Sequence, residues 1–177
     1  MILLYFLLDT FLRKGSSAKL PKTEFDRKTT FMIVLAMGTT VVAAELLSYF
    51  GIGRFNAPVV VWSGLALMGV GFLIRVASIL QLKEAYTRTL KVEADQQLIT
   101  SGMYRSIRHP GYLGSVIIWF FFGVAMGNYY VVVISIALVG SAYCNRIVQE
   151  ERMLAHRYGP GYEDYRQHSW RLLPYIW

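Results

Sequence analysis

Between Gly111 and Asn145 the chain carries no Asp, Glu, Lys, Arg or His, a gap of thirty-five residues. A water-facing surface does not go uncharged for that long. With 55% hydrophobic residues against 16% charged ones, the absence excludes an ordinary soluble domain and points to a small polytopic membrane protein. Cysteine is nearly missing as well: Cys144 stands alone, which excludes an internal disulfide framework and leaves the redox compartment open. Its apolar surroundings suit packing rather than nucleophilic chemistry, because burial disfavours the thiolate. Histidine is limited to His109, His156 and His168, with no spacing that would gather metal ligands on one helix face. Acidic residues are outnumbered, 11 to 18, for a net charge of +7. The basic residues flank apolar runs, so they read as juxtamembrane charge and not as a nucleic-acid footprint. No strand precedes Gly64, Gly69 and Gly71 to make a nucleotide loop of them; inside a membrane helix they read as small residues for close helix contact.

What is present is a set of apolar spans. Phe31 to Phe50 and Ala57 to Leu82 each have the length of a membrane helix. The uncharged run would reach about 52 Å as one helix at ~1.5 Å per residue, well past a ~30 Å hydrocarbon core. It is expected to fold back as a hairpin, Gly111 to Met126 and Tyr129 to Cys144, turning at Gly127 and Asn128. Met1 to Leu12 is short for a span but is read as a first one, giving an all-α protein of about five transmembrane helices in a single domain over 1–177. Arg13, Lys14, Lys19, Lys22, Arg27 and Lys28 fall between spans one and two; Lys83, Arg88, Lys91, Arg105 and Arg108 fall between three and four. The opposite loops offer only Arg54. The positive-inside rule then puts these polar segments in the cytoplasm and the N-terminus outside. Arg75, near the inner end of its helix, is expected to snorkel to that interface, too far in depth from Glu45 to pair with it.

The hairpin brings two polar segments to one membrane face. On the first, Pro110 suits the opening turn of a helix with Arg108 and His109 just outside it. A helix start presents free N–H groups and a positive dipole end that favour an anion, and Gly111 and Gly114 would leave room for a ligand to approach the backbone. On the second, Glu150 and Glu151 lie a turn or so beyond the last span. Neighbouring carboxylates on a helix point about 100° apart, so one faces the site while the other meets solvent or an arginine. Arg146 stands at ion-pair spacing from Glu150. Tyr158 to Tyr165 is a Gly-Pro-Gly turn leading into a short aromatic amphipathic segment, either a lid over the pocket or a headgroup-level anchor.

Together, "LITSGMYRSIRHPGYLG" at 98–114 and "EERMLAHRYGPGYEDYRQ" at 150–167 resemble the isoprenylcysteine carboxyl methyltransferase family and the related membrane phospholipid methyltransferases. The resemblance implies S-adenosylmethionine bound in a cytoplasmic pocket at the end of the last hairpin, within about residues 97–171. Carried over by position, it implies Tyr104, His109, Tyr112 and Gly114 in that pocket, Arg108 and Pro110 beside them, and Gln97, Leu98 and Gly102 on the other wall. It implies Glu150 or Glu151 against the cofactor's ammonium or ribose hydroxyls. A carboxylate acceptor is already ionised, so positioning and exclusion of water would suffice, with Arg171 or Arg166 holding it in the way guanidinium favours. An amine acceptor would need a base, for which His109 is placed. The expected partners are the bilayer and a lipid or prenylated acceptor; the oligomeric state stays open. The tail "YGPGYEDYRQHSWRLLPYIW" also resembles that of membrane sterol reductases, which use NADPH and are larger. A non-catalytic membrane scaffold is the third alternative.

Overall fold

In a computed structural model, the described residues are 24–82 and 98–175. Four helices of membrane scale form the body: α1 (Glu24–Tyr49), α2 (Pro58–Leu82), α3 (Pro110–Ala125) and α4 (Tyr129–Tyr158). A short α5 (Pro160–Gln167) follows, and a 3-10 turn (Gly102–Arg105) precedes α3. Among the described residues α1, α2 and α4 are long and apolar enough to cross a membrane, while α3 has 16 residues. The expected first span lies outside the described residues, as do Arg13, Lys14, Lys19, Lys22, Lys83, Arg88, Lys91 and Gln97.

Proline opens three of these helices, Pro58 in α2, Pro110 in α3 and Pro160 in α5. There its fixed φ fits the helix and its missing N–H is not needed. The hairpin turns where expected. Gly127 adopts φ 61°, and the Asn128 side chain caps α4 by accepting from the N–H groups of Tyr130 at 3.0 Å and Val131 at 3.2 Å. Its amide also donates to the Ile52 carbonyl at 2.7 Å, fixing the hairpin tip to the α1–α2 loop. Only the second arm extends into flanking sequence; α4 runs through Cys144 to Tyr158. Midway, Ser135–Gly140 widens to a π-helix, against which α1 packs.

α2 and α3 lie side by side over most of their length. Gly64 and Gly71 make this possible: a Cβ on either would stand 2.8 Å from a backbone atom of α3. Gly69 is different, with nothing within 4 Å of a Cβ there, so it takes no part in the contact. The core gathers Met37, Met68, Ile118, Trp119, Phe122, Val131, Val139 and Tyr143. Large apolar side chains on α1 and α2 face outward, Phe31, Leu46, Val59, Trp62 and Leu73 all more than half exposed. Such faces suit lipid and not water.

Arg75 departs from expectation. It does not snorkel; it is 6% exposed, and its guanidinium donates to Ser115 Oγ at 2.6 Å and the Gly111 carbonyl at 3.1 Å. An intramembrane charge is stabilised by turning into the bundle where oxygens await it, and α3 offers two in its first turns.

Candidate active site

The start of α1, the end of α2, the start of α3 and the end of α4 converge at one end of the bundle. The chain entering α3 is fixed there by its own tail. Residues 106–109 run beside 169–171, joined by bonds from Trp170 N to the Ser106 carbonyl (2.8 Å), Arg108 N to the Trp170 carbonyl (2.7 Å) and His109 N to the Arg171 carbonyl (3.1 Å). The Arg108 guanidinium reinforces this strap, donating to the carbonyls of Arg166 and Ser169.

The two carboxylates divide as helix geometry requires. Glu151, 5% exposed, accepts from Arg108 Nε at 2.8 Å and from Arg171 Nε at 2.6 Å. His109 Nε2 stands 3.6 Å from the same carboxylate, too far for a hydrogen bond. Glu150 is half-buried and accepts from the Tyr112 hydroxyl at 2.6 Å. Tyr112 in turn stacks on His109, centroids 5.6 Å apart and rings 18° from parallel. Arg146 reaches the Tyr112 oxygen at 3.3 Å and the hydroxyls of Thr29 at 2.8 Å and Thr30 at 3.1 Å, so the phenol stands between Arg146 and Glu150.

α5 folds back over this mouth. Gly159 turns the chain with φ 52°, and the i,i+3 pair Tyr162 and Tyr165 faces inward, both buried. Tyr165 donates to the Tyr104 carbonyl, and Tyr104 to the Ser78 carbonyl at 3.3 Å, linking α5 to α2 through the 3-10 turn. Burial pushes the Tyr165 phenol up to about 12. Burial, with the charges of Glu151 and Glu150 behind it, pushes that of Tyr162 higher still. Tyr162 therefore stays a neutral donor at any working pH. Its hydroxyl and His109 Nε2 are buried polar atoms without a hydrogen-bond partner, both close to the Glu150–Glu151 edge. Unpaired polar atoms at such depth are costly; a pair of them beside two carboxylates fits a polar ligand.

The remaining expected site residues have the following surroundings. Gly111 and Gly114 pack against α2: a Cβ on Gly111 would meet Ser78 Oγ at 2.9 Å, one on Gly114 the Gly71 carbonyl at 2.6 Å. Gly102 holds φ 58° against Gln81, whose side chain bonds the Ser101 carbonyl and the Met103 N–H. Leu98 is half-buried and Pro110 fully so. Arg166 points to Glu163 at 2.9 Å on the surface, and Arg171 sits at the rim on Glu151 with 26% of its side chain exposed.

The family model for the isoprenylcysteine carboxyl methyltransferase (ICMT) family matches residues 64–156, 93 of the 177. The chain belongs to that family. This ICMT-family chain is 31% identical over 115 residues to a probable protein-S-isoprenylcysteine O-methyltransferase of Oryza sativa subsp. indica, covering 64% of this chain and 60% of that one. It is 31% identical over 121 residues to the protein-S-isoprenylcysteine O-methyltransferase of Dictyostelium discoideum, covering 65% and 49%. The chain thus spans only about half to three fifths of the length of these curated relatives. Its fold matches a solved structure of the eukaryotic intramembrane Ras methyltransferase ICMT with a TM-score of 0.65 at 24% identity, over 81% of this chain and 52% of the other.

Four placements in this ICMT-family chain go beyond what spacing alone gives. Arg146 is assigned to Glu150 by its i,i+4 position, but the contacts to Thr29 and Thr30 come from a helix more than a hundred residues away in sequence. Arg75 was expected to snorkel, and its turn into the bundle depends on the Ser115 and Gly111 oxygens of α3. Tyr162 and Tyr165 fall within the aromatic amphipathic segment read at 158–165, but their burial depends on where α5 folds.

Proposed function

We propose that this ICMT-family chain transfers the methyl group of S-adenosylmethionine to a carboxylate on a membrane-associated acceptor, most specifically the carboxylate of an isoprenylated cysteine. The observation that carries this reading is the division of Glu150 and Glu151. Glu151 holds the strap, which leaves Glu150, half-buried and oriented by Tyr112, for the cationic or hydroxyl groups of a ligand. The buried His109 Nε2 and Tyr162 hydroxyl, neither of them in a hydrogen bond, offer further contacts, so the residues present fit a nucleoside carrying an ammonium and a carboxylate. When bound, S-adenosylmethionine supplies an electrophilic methyl on a sulfonium. The protein's own part is to orient, to exclude water beneath α5, and to hold the acceptor near the rim, where Arg171 and Arg166 are the candidates. An ionised carboxylate acceptor asks no residue for proton transfer.

A recessed mouth supports a lipid-borne acceptor. α3 has 16 residues, about 24 Å at helical rise against a ~30 Å hydrocarbon core. Its polar start then sits below the bilayer surface, within reach of a head whose tail remains in lipid. Orientation follows the charges: among the described residues Arg27, Lys28, Arg105, Arg108, Arg152 and Arg157 lie toward the site end and Arg54 at the other, so we place the site on the cytoplasmic side. Titration in detergent with S-adenosylmethionine, S-adenosylhomocysteine and NADPH tests the donor. Binding of NADPH alone overturns the reading in favour of a reductase, and binding of none favours a scaffold. Transfer of labelled methyl to an S-farnesyl cysteine carboxylate, compared with a phospholipid amine, tests the acceptor.

A further inference from the structure

α1 lies outside the region matched by the family model, which begins at residue 64, yet two of its side chains end in the active site. Thr29, 1% exposed, and Thr30 both accept from Arg146 Nη1, at 2.8 and 3.1 Å. Arg146, 4% exposed, places Nε on the Tyr112 oxygen at 3.3 Å. A guanidinium only donates, so the phenol oxygen must accept from Arg146, and its single proton is left for Glu150, 2.6 Å away. The order of donors therefore fixes which way the phenol points. The His109 ring stacks on Tyr112 at 5.6 Å, so the setting of the phenol bears on the imidazole beside it. Removing the two threonine oxygens takes two acceptors from the buried guanidinium on the side away from Tyr112 and so loosens the group that aims the phenol.

We propose that Thr29 and Thr30 are positioning residues for methyl-donor binding, acting on Glu150 and His109 through Arg146 and Tyr112. α1 is thereby a working part of the active site as well as a lipid-facing span. The inference rests on the reading that Glu150 and Tyr112 face the donor.

A double-mutant cycle read by calorimetric titration with S-adenosylhomocysteine tests it. Thr29→Val with Thr30→Val keeps shape and removes both acceptors; affinity should fall roughly five- to twentyfold, and the matching serine pair should restore it. In a Tyr112→Phe background the same valines should change affinity less than twofold, because the link they act through is already cut. A threonine needed only for packing would give the same loss in both backgrounds, and that additivity would overturn the proposal. So would unchanged affinity in the valine pair, or a serine pair as weak as the valine pair. If the valine pair does not fold, Thr30→Val alone runs the same cycle. An unmutated protein that binds no adenosyl ligand overturns the reading of the site itself, and this inference with it.

Discussion

Substituting Glu151 and Glu150 one at a time by glutamine should separate holding the fold from binding the ligand. Glu151 compensates two guanidiniums, Arg108 at 2.8 Å and Arg171 at 2.6 Å, with side-chain exposures of 9% and 26%. Removing one partner of a buried ion pair costs about 3–5 kcal/mol. Glutamine retains one accepting oxygen and Arg171 is partly solvated, so the low end, about 3 kcal/mol, applies. For a chain of this size that is roughly 6–12 °C of thermal midpoint. The damage should begin in the strap, since Arg108 also holds the carbonyls of Arg166 and Ser169, and limited proteolysis should cut between residues 166 and 175 before the helices melt. Glu150→Gln leaves no buried arginine pair broken at the strap and should melt within about 1 kcal/mol of the parent, while losing a charge-assisted ligand contact worth about 2 kcal/mol, or roughly thirtyfold in S-adenosylhomocysteine affinity. Equal melting and equal protease resistance in both variants would refute the division of roles. A Glu150→Gln variant with normal affinity would refute the ligand assignment.

Glycine substitutions test the helix contact. Gly114→Ala places a Cβ 2.6 Å from the Gly71 carbonyl and 2.8 Å from Arg75 N, atoms that cannot step aside, so it should destabilise by about 1–3 kcal/mol in a detergent melt. Gly69→Ala meets nothing within 4 Å and should be neutral or stabilising by up to about 1 kcal/mol. The alkaline limb tests Tyr165, whose phenol is raised by burial from 10.0 to about 12 in the folded protein. The unfolded chain loses that proton first, so stability present below pH 10 should fall as pH rises from there toward 12. Thermal midpoints at pH 9 and pH 11 should converge partly in Tyr165→Phe; an unchanged difference would show that this phenol does not govern the limb.

The fold was largely legible because membrane spans are set by local composition. The uncharged run had to double back, and Gly127 with Asn128 was the place where a positive φ and a cap could be supplied. The extents were less legible. Sixteen apolar residues per arm required both helices to extend into flanking sequence, yet only α4 does, running 30 residues against 16 for α3, with Glu150 and Glu151 held in the longer helix by Tyr112 on α3 and Arg171 on the tail. Arg75 shows the same limit: whether an arginine near a helix end snorkels or turns inward depends on whether a neighbour presents oxygens at its depth, and Ser115 and Gly111 are forty and thirty-six residues away.

For the candidate site, spacing named two segments that the fold does bring together, but it could not apportion their side chains. That two adjacent carboxylates must diverge follows from helix geometry alone. Which one meets arginine is decided by where the tail runs, and the tail is held by backbone bonds from residues 106–109 that leave no periodic signature. The glycines illustrate the converse. Gly111 and Gly114 beside a helix start look like space for a ligand, yet the same absence of a Cβ serves α2, which approaches so closely that Gly71 and Gly114 must both be bare. A glycine records only that something comes near; the partner is a property of the assembled bundle. Thr29 and Thr30 complete the point, since nothing in their own sequence neighbourhood distinguishes them from other threonines in α1. They become visible only once Arg146, unable to remain charged in an apolar setting without acceptors, is found to have taken them.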